Sequence, residues 1–583
     1  MTDKLYKKGM NFNKPEKKEL LFLMLTGCMI GILCFALVYG FKIVDVTYNG
    51  WLFNGDMDLR QHYVGFCHYR LSPWRFPVGI IDTLSKPYSM SVVYTDSIPL
   101  FAVFFKLFSG VLPESFQYFG LFGLICFSLM GALSPVLIRR FSGSKLLCLS
   151  GSLFFILSFP VLHRMFYHTA LSAQWIIVLA LIIWLYTDIT DKSQLKKICI
   201  YWALIGVLSV SIHSYFVFMT GIVLLLQICD GILRTHKKGT KFYKDLWMAF
   251  PLLSMGVSSF ILLYILGGFY GSGSVSGDGF GSFYANLSAY VNPLHFSSLF
   301  KGFENNGMFE FEGFSYLGTG MIILLIVMTM YEAAVHIRDK HLGKNATVSL
   351  TNPDENSGNI CKLTYAVIFA FIIIVLLFSC FPNYSFGSVK LISIPVPKFI
   401  TRILGICRTN ARFVWIGMYL FYVIAFSLVA KHFSKIWVKL LVAFAIIIQL
   451  FEMSGIVKQY HQKYSEDKVF ETVWTQLEDE NVIDGKDEFV FMYDYNDIMM
   501  DTAYYAYLHK MCQNSFYYAR TIYDEIDATI EEWSGEFLKG NLDSSVVYVF
   551  RNEDYTKEYD EVVKNKNANK YELPEHIVIT VDK

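Results

Sequence analysis

"IPLFAVFFKLFSGV", Ile98 to Val111, is the stretch on which the topology of this chain turns. It is apolar, but it falls short of the roughly 20 residues that a bilayer crossing needs, and Lys106 interrupts it. If it crosses, every later loop changes side. Around it lie longer apolar runs at 20–43, 116–138, 146–162, 170–187, 198–213, 215–233, 247–266, 318–337, 362–381, 413–430 and 437–455. Charge decides between the two topologies. With Ile98–Val111 lying along the interface, loops 139–145, 188–197, 234–246, 338–362 and 431–439 fall on one side and carry 18 Lys and Arg. Loops 163–169, 267–317 and 382–412 fall on the other and carry 7. Short cytoplasmic loops are enriched in Lys and Arg. The expectation is a mostly α, polytopic integral membrane protein with about eleven transmembrane helices and an interfacial helix at 98–111. Its N-terminus is cytoplasmic and its C-terminal portion extracytoplasmic, in a cell membrane.

Composition agrees. The chain has 583 residues, 54% hydrophobic and 17% charged, against about 45–50% and about 25% in soluble proteins. The net charge of +1 gives no basic excess of the kind that marks a nucleic-acid partner. The eleven cysteines are scattered, mostly within apolar runs, with no C-x-x-C pair, so they read as small buried hydrophobes and not as metal ligands. Six lysines between Lys4 and Lys18 precede the first run, which is too long for a signal-peptide core and is read as a retained helix.

This topology exposes four regions on the outer side: 44–115, the Gly-rich loop 267–317, the loop 382–412, and everything after about 456. From residue 458 the character changes. "DEFVFMYDY", "SSVVYVFRN" and "EHIVITVD" read as strands, with "DEIDATIEEWSGEFLKG" helical between them. The division expected is a transmembrane domain over 1–457 and a small soluble α/β domain over 458–583.

Polar chemistry concentrates after the first span, in "NGDMDLRQHYVGFCHYRLSPWRF", Asn54 to Phe76. Ionisable groups at a membrane protein's helix ends tend to mark where substrate is handled. Asp56 and Asp58 are candidate general bases, or a pair able to hold a divalent metal. The competing reading makes each a turn or cap residue. Arg60, Arg70, Arg75 and Lys86 suit phosphate, since guanidinium forks match its oxygens; lipid headgroups would serve them as well. His62 and His68 are six apart, a poor spacing for one helical face, and are expected to hydrogen-bond at the interface. His213 and Tyr215, at a helix end, are within reach of the same outer region, although anchoring is the plainer role. "GGFYGSGSVSGDGFGSF", Gly267 to Phe283, lacks a phosphate-loop pattern and reads as a linker or a loop that closes over substrate.

"DLRQHYVGFCHYR", "SPWRFPVG" and "VVYTDSIPLFAVFFKLFSGVLPESFQYFG" together resemble an uncharacterised family of bacterial integral membrane proteins with a D-x-x-Q-H-Y-x-G-W pattern and a T-D-S-I-P-L segment. That family in turn looks like the GT-C glycosyltransferase superfamily: a first helix, an outer loop with an acidic residue, an interfacial helix opened by Pro-Leu, and many spans. By the resemblance, the acid before Q-H-Y is Asp58, Asp56 is second choice, and Phe66 replaces the pattern's Trp. Pro99-Leu100 opens the interfacial helix, with Asp96 just ahead. "GFSYLGTG", Gly313 to Gly320, and "RTNARFVW", Arg408 to Trp415, also look similar to this group. The latter places Arg408 and Arg412 in register and puts Ala411 where relatives have glycine.

The function implied is a GT-C-like membrane glycosyltransferase of the bacterial cell envelope. It would move a sugar from a polyprenyl-phosphate donor to an extracytoplasmic glycan, teichoic acid or lipid acceptor, inverting the anomeric centre. Asp58 would serve as base, with Asp56 beside it. Arg60, His62, Arg75, Lys86, Asp96, Arg408 and Arg412 would contact substrate; no cofactor is required, though a divalent metal is compatible. The alternative is a transporter or flippase of lipid-linked glycans, which needs the same basic lipid cleft without a base. The charge asymmetry yields a direct test of orientation: an alkaline phosphatase fused after Lys583 is expected to be active outside the membrane, and one fused after the first lysine cluster inactive. The reverse pattern would mean that Ile98–Val111 crosses.

Overall fold

The computed structural model describes residues 16–53, 55, 57–236, 242–270, 280–341, 362–480, 482–493, 498–520 and 522–582. Among them, ten helices are long and apolar enough to cross a membrane, and a bent pair makes an eleventh. The first is α1 (Lys17–Tyr39). After an irregular stretch come α2 (Met57–Leu71), a hairpin of β1 (Ile80–Ser85) and β2 (Tyr88–Ser91), and the short α3 (Pro99–Lys106). The other candidate spans are α4 (Phe119–Arg139), α5 (Lys145–Arg164), α6 (Thr169–Tyr186), α7 (Lys192–Ile212), α8 (Tyr215–His236), α9 (Asp245–Ile265), α10 (Thr319–His341), α11 (Leu363–Cys380) and α12 (Asn410–His432). A second hairpin, β3 (Asn383–Phe386) and β4 (Val389–Ser393), lies between α11 and α12. The bent pair is α13 (Ile436–Glu452) and α14 (Ser454–Ser465), which meet at 47°. Every apolar run read from the sequence lies on one of these helices. At eight residues, α3 is far too short to cross. It presents Leu100 and Phe104 outward and buries Ala102 and Lys106. The Lys106 ammonium lies over the rings of Tyr69, at 3.8 Å, and Trp74, at 4.7 Å, which is how a lysine is accommodated in an apolar stretch. Burial pushes its pKa down to about 8.

Helices in lipid gain little from mutual burial of apolar surface, so close backbone approach and polar contacts hold them. A Cβ on Gly27 of α1 would lie 2.0 Å from the Gly131 carbonyl oxygen of α4, and one on Gly131 2.2 Å from that of Gly27. At one end of this antiparallel pair Arg139 grips both oxygens of Glu19, at 2.9 and 3.1 Å. Serines do similar work between α7 and α9, where Ser254 and Ser258 each donate to a carbonyl of α7 at 3.0 Å. The two most enclosed candidate spans, α6 and α12, are joined where Tyr419 donates to Gln174 at 2.9 Å.

Following α14 the chain builds a mixed five-stranded sheet from β5 (Glu488–Phe491), β6 (Cys512–Gln513), β7 (Val546–Arg551), β8 (Asn569–Leu573) and β9 (His576–Thr580), in the order β6-β5-β7-β9-β8. β5 pairs parallel with β6 and β7, and β9 antiparallel with β7 and β8. Three of these strands fall where the sequence predicts them. The two it misses are the two-residue β6 and the half-exposed, polar β8, neither long nor apolar enough to stand out. A helix, α15 (Met499–Leu508), docks this region on α2: Asn49 bridges the hydroxyls of Tyr63 and Tyr504, at 3.0 and 2.6 Å.

The "GFSYLGTG" stretch has a structural explanation. Gly318 has φ +84°, and a Cβ there would meet Gln449 of α13 at 2.0 Å. The next residue, Thr319, gives both its N–H and its hydroxyl to Glu452, each at 2.8 Å. Tyr316 and Ser297 also donate to this fully buried carboxylate, each at 2.7 Å. Glu452 is therefore the pin at the α13–α14 bend. Glu452→Ala leaves several buried donors unsatisfied and is expected to cost on the order of 3 kcal/mol, read as a lower melting temperature of the detergent-solubilised protein. An unchanged melt would remove Glu452 from that role.

Candidate functional site

Asp58 and His62 are four apart on α2, so they share one face, one turn from each other. Asp58 lies in the first turn, where the helix dipole favours a carboxylate. His62 is fully buried, and among the described residues neither of its ring nitrogens has a hydrogen-bond partner. It faces His168, with ring centroids 4.9 Å apart.

Beside these two rings stands Asp96. Its backbone is left-handed, φ 51°, as is that of Ile98, φ 54°, an unusual state for a β-branched residue. The turn is held from several directions. Thr95 and Ser97 hydroxyls bond each other at 2.8 Å, Ser97 donates to the His62 carbonyl at 2.6 Å, and Tyr118 donates to the Ser97 carbonyl. So fixed, Asp96 offers one oxygen to His168 Nε2 at 3.4 Å and the other to His213 Nε2 at 3.3 Å. His168 lies between α5 and α6, and His213 between α7 and α8, where the helices break. The Tyr215 N–H donates to His213 Nδ1 at 3.2 Å; in the neutral ring the proton then sits on Nε2, toward Asp96. Burial dominates the protonation of all three rings. It pushes His62 down to about 3, with His168 adding and Asp96 opposing, and His213 to about 3 against the pull of Asp96. His168 falls well below its ordinary value by burial and by the charges of Arg412 and Arg164. Three neutral imidazoles and a carboxylate thus converge. His62, Asp96 and His168 each present a ligating atom within 4.8 Å of the others.

Beside them is a buried ion triad. Arg164 gives two bonds to the Glu312 carboxylate, at 2.8 and 3.2 Å, and Arg412 gives one at 2.8 Å. Burial acts to raise the Glu312 carboxyl, but the two guanidinium charges outweigh it and hold it below the usual range. Arg412 also stacks on Tyr215, 4.9 Å from its centroid.

The sequence predicts that Arg408 and Arg412 project together from one helical turn. They do not. Thr409 (φ −105°, ψ 77°) interrupts the helix, and Asn410–Phe413 is a separate 3-10 turn. Ala411, where relatives carry glycine, sits inside that turn without positive φ. Arg412 is buried against Glu312, an acid that sequence reasoning passed over although it stands directly before the "GFSYLGTG" stretch. Arg408 is half-buried, stacked 4.9 Å from Phe283 and 3.4 Å from the Ala519 carbonyl. It also bonds the Tyr517 hydroxyl, whose pKa burial raises first and the Asp58 charge next, with Arg408 opposing. Asp58, through its charge, and Arg408, through a hydrogen bond, therefore act on one tyrosine of the C-terminal region.

The remaining predicted cations are engaged with carboxylates: Arg60 with Asp501 at 3.4 Å, Lys86 with Glu488 at 2.8 Å, and Arg75 with Asp82. Arg60 and Lys86 thereby tie the first segment to the C-terminal region. Arg70 caps the carbonyls of Leu112 and Pro113, at 3.1 and 2.9 Å. His68 meets its expectation of interfacial hydrogen bonding, between Thr83 at 2.8 Å and the Ala503 carbonyl at 2.6 Å. His62 departs from that expectation, because its neighbours come from residues 96 and 168 and no local spacing reveals them. Asp56 and most of the Gly-rich stretch (271–279) lie outside the described residues. A cleft of about 400 Å³ between Trp51 and Gln459–Lys468 shares no residue with this cluster.

The buried His68 gives a pH prediction. Burial holds its pKa at about 4, below the ordinary 6.5, so below pH 6.5 the unfolded chain binds the extra proton. Its contribution to stability is complete above that pH and is lost as pH falls toward 4, on the order of 3 kcal/mol in all. Melts of the wild type should steepen downward over this window, and His68→Gln should flatten the slope. Parallel slopes would contradict the assignment.

Comparison with known protein families gives two matches. A model described as a domain of unknown function, DUF6311, matches residues 28–454, and the DUF6311 C-terminal domain matches residues 480–581. No curated protein matches the chain.

Proposed function

The chain belongs to the DUF6311 family, and we propose that it is a membrane glycosyltransferase that takes a sugar from a polyprenyl-phosphate donor to an acceptor hydroxyl. The observation that carries this reading is that Asp58 and Arg408 both act on Tyr517, Arg408 by a hydrogen bond and Asp58 through its charge. A carboxylate in the first turn of a helix and a guanidinium held by neutral neighbours give one site both a base and a phosphate partner. Asp58 removes the proton from the acceptor hydroxyl as its oxygen attacks the anomeric carbon. The bond from that carbon to the phosphate oxygen breaks, its electron pair going to the phosphate, where Arg408 offsets the charge. One displacement inverts the anomeric centre.

Architecture supports the reading by analogy with GT-C enzymes: an acidic segment after the first span, then a short helix opened by proline and too short to cross. The outward Leu100 and Phe104 of α3 and the exposed Leu391 and Ile392 of β4 (Val389–Ser393) suit a lipid carrier. The charge asymmetry supports an outer location for this face, with the acceptor a glycan, teichoic acid or lipid of the envelope. Arg412 serves in this scheme by fixing the buried end of the site and not by gripping phosphate directly.

The test uses purified protein and a polyprenyl-phosphate sugar. Asp58→Asn, nearly isosteric, is expected to lower transfer by about a hundredfold or more with donor binding retained. Arg408→Ala should weaken donor binding roughly ten- to hundredfold, and Arg408→Lys should recover only part. Wild-type transfer by Asp58→Asn would dismiss the base. Donor binding and movement across the bilayer without transfer, in the wild type, would favour a flippase.

A further inference from the structure

We infer that His62, Asp96 and His168 form a binding site for one divalent transition-metal ion of the zinc class, with His213 orienting the carboxylate and a fourth coordination position left to a non-protein ligand. This goes beyond the transferase proposal, which requires no metal.

The donor set fits. Two imidazoles and a carboxylate suit a borderline ion such as Zn²⁺, whereas Mg²⁺ and Ca²⁺ prefer all-oxygen shells. Tetrahedral zinc holds N and O ligands at about 2.0–2.1 Å, which puts neighbouring ligand atoms roughly 3.4 Å apart. Asp96 Oδ2 and His168 Nε2 are separated by 3.4 Å. The third ligating atom, from His62, lies within 4.8 Å of both, a gap that side-chain rotation closes.

His62 points to a ligand independently of spacing. It is fully buried, and both of its ring nitrogens lack partners among the described residues. A buried imidazole with neither nitrogen engaged is costly and rare, and a metal bond would satisfy one of them.

The supporting shell is in place. His213 carries its proton on Nε2, 3.3 Å from the Asp96 oxygen that does not face His168. Such a contact orients a metal-binding carboxylate. The left-handed turn at Asp96 and Ile98 is clamped by Thr95, Ser97 and Tyr118, as expected where strain positions a functional group. The neighbouring charges balance: Arg164 and Arg412 against Glu312 and Asp96. An added dication therefore makes the site positive, and the fourth position suits an anionic oxygen.

The experiment uses the full chain in detergent, stripped with a chelator and titrated with Co²⁺ as a spectroscopic probe. The wild type is expected to bind one Co²⁺ per chain with visible d–d bands of four-coordinate geometry, bleached by one equivalent of Zn²⁺. His62→Ala and His168→Ala should each weaken Co²⁺ at least tenfold, while His68→Gln, whose ring is engaged elsewhere, binds as the wild type does. Asp96→Asn serves as a conservative backup should either alanine variant lose its monodisperse size-exclusion profile. No stoichiometric Co²⁺ in the wild type, or undiminished binding in the folded His62 and Asp96 variants, would overturn the site. Because the readout is metal and not transfer, its failure is separable from failure of the glycosyltransferase reading.

Discussion

The candidate site depends on one buried carboxylate, Glu312, clamped between Arg164 and Arg412. Three charges removed from water hold together only because the geometry is close and the hydrogen bonds are made; removal of one partner from such a set typically costs about 3–5 kcal/mol. The clamp joins three distant parts of the chain: the end of α5, the segment leading into α10, and the turn that starts α12. Through Arg412 it also sets the electrostatic surroundings of Asp96 and His168. The buried histidines owe their neutrality to the same enclosure.

A second constraint is the fastening of the C-terminal region to the membrane-spanning part. Tyr63, Tyr504 and Asn49 interlock, Lys86 pairs with Glu488, and Arg520 reaches the Ile406 carbonyl at 2.7 Å. The Tyr94 carbonyl takes the Ala519 N–H at 2.8 Å. The segment 517–520 is thereby fastened beside Tyr94, Ile406 and Arg408. The strand-rich region completes the site and does not hang from it.

The spans were legible because a helix in lipid advertises itself by length and apolarity, and the short α3 because eight residues and a lysine cannot cross. The strands that pack on both faces read as apolar runs; β6 and β8 did not. The site was only half legible. Asp58 and His62 stand in one recognisable stretch, and the Thr95–Pro99 turn in another, but what makes them a site is the arrival of His168, His213, Glu312 and Tyr517 from elsewhere. Pairing across the fold also reassigned groups that looked alike. Arg60, Arg75, Lys86 and Arg412 are matched by carboxylates that sit 7 to 441 residues away in sequence, and a one-dimensional reading could not tell them from Arg408.

We propose that Asp58 and Arg408 serve a phosphate-bearing lipid. The most direct test is an experimental structure of the full chain in lipid nanodiscs with polyprenyl phosphate. The account predicts phosphate density within hydrogen-bond distance of Arg408, beside Asp58 and Tyr517, with the lipid chain leaving past α3 or the β4 hairpin. Phosphate bound elsewhere, with Asp58 and Arg408 closed on Tyr517 as before, would contradict it.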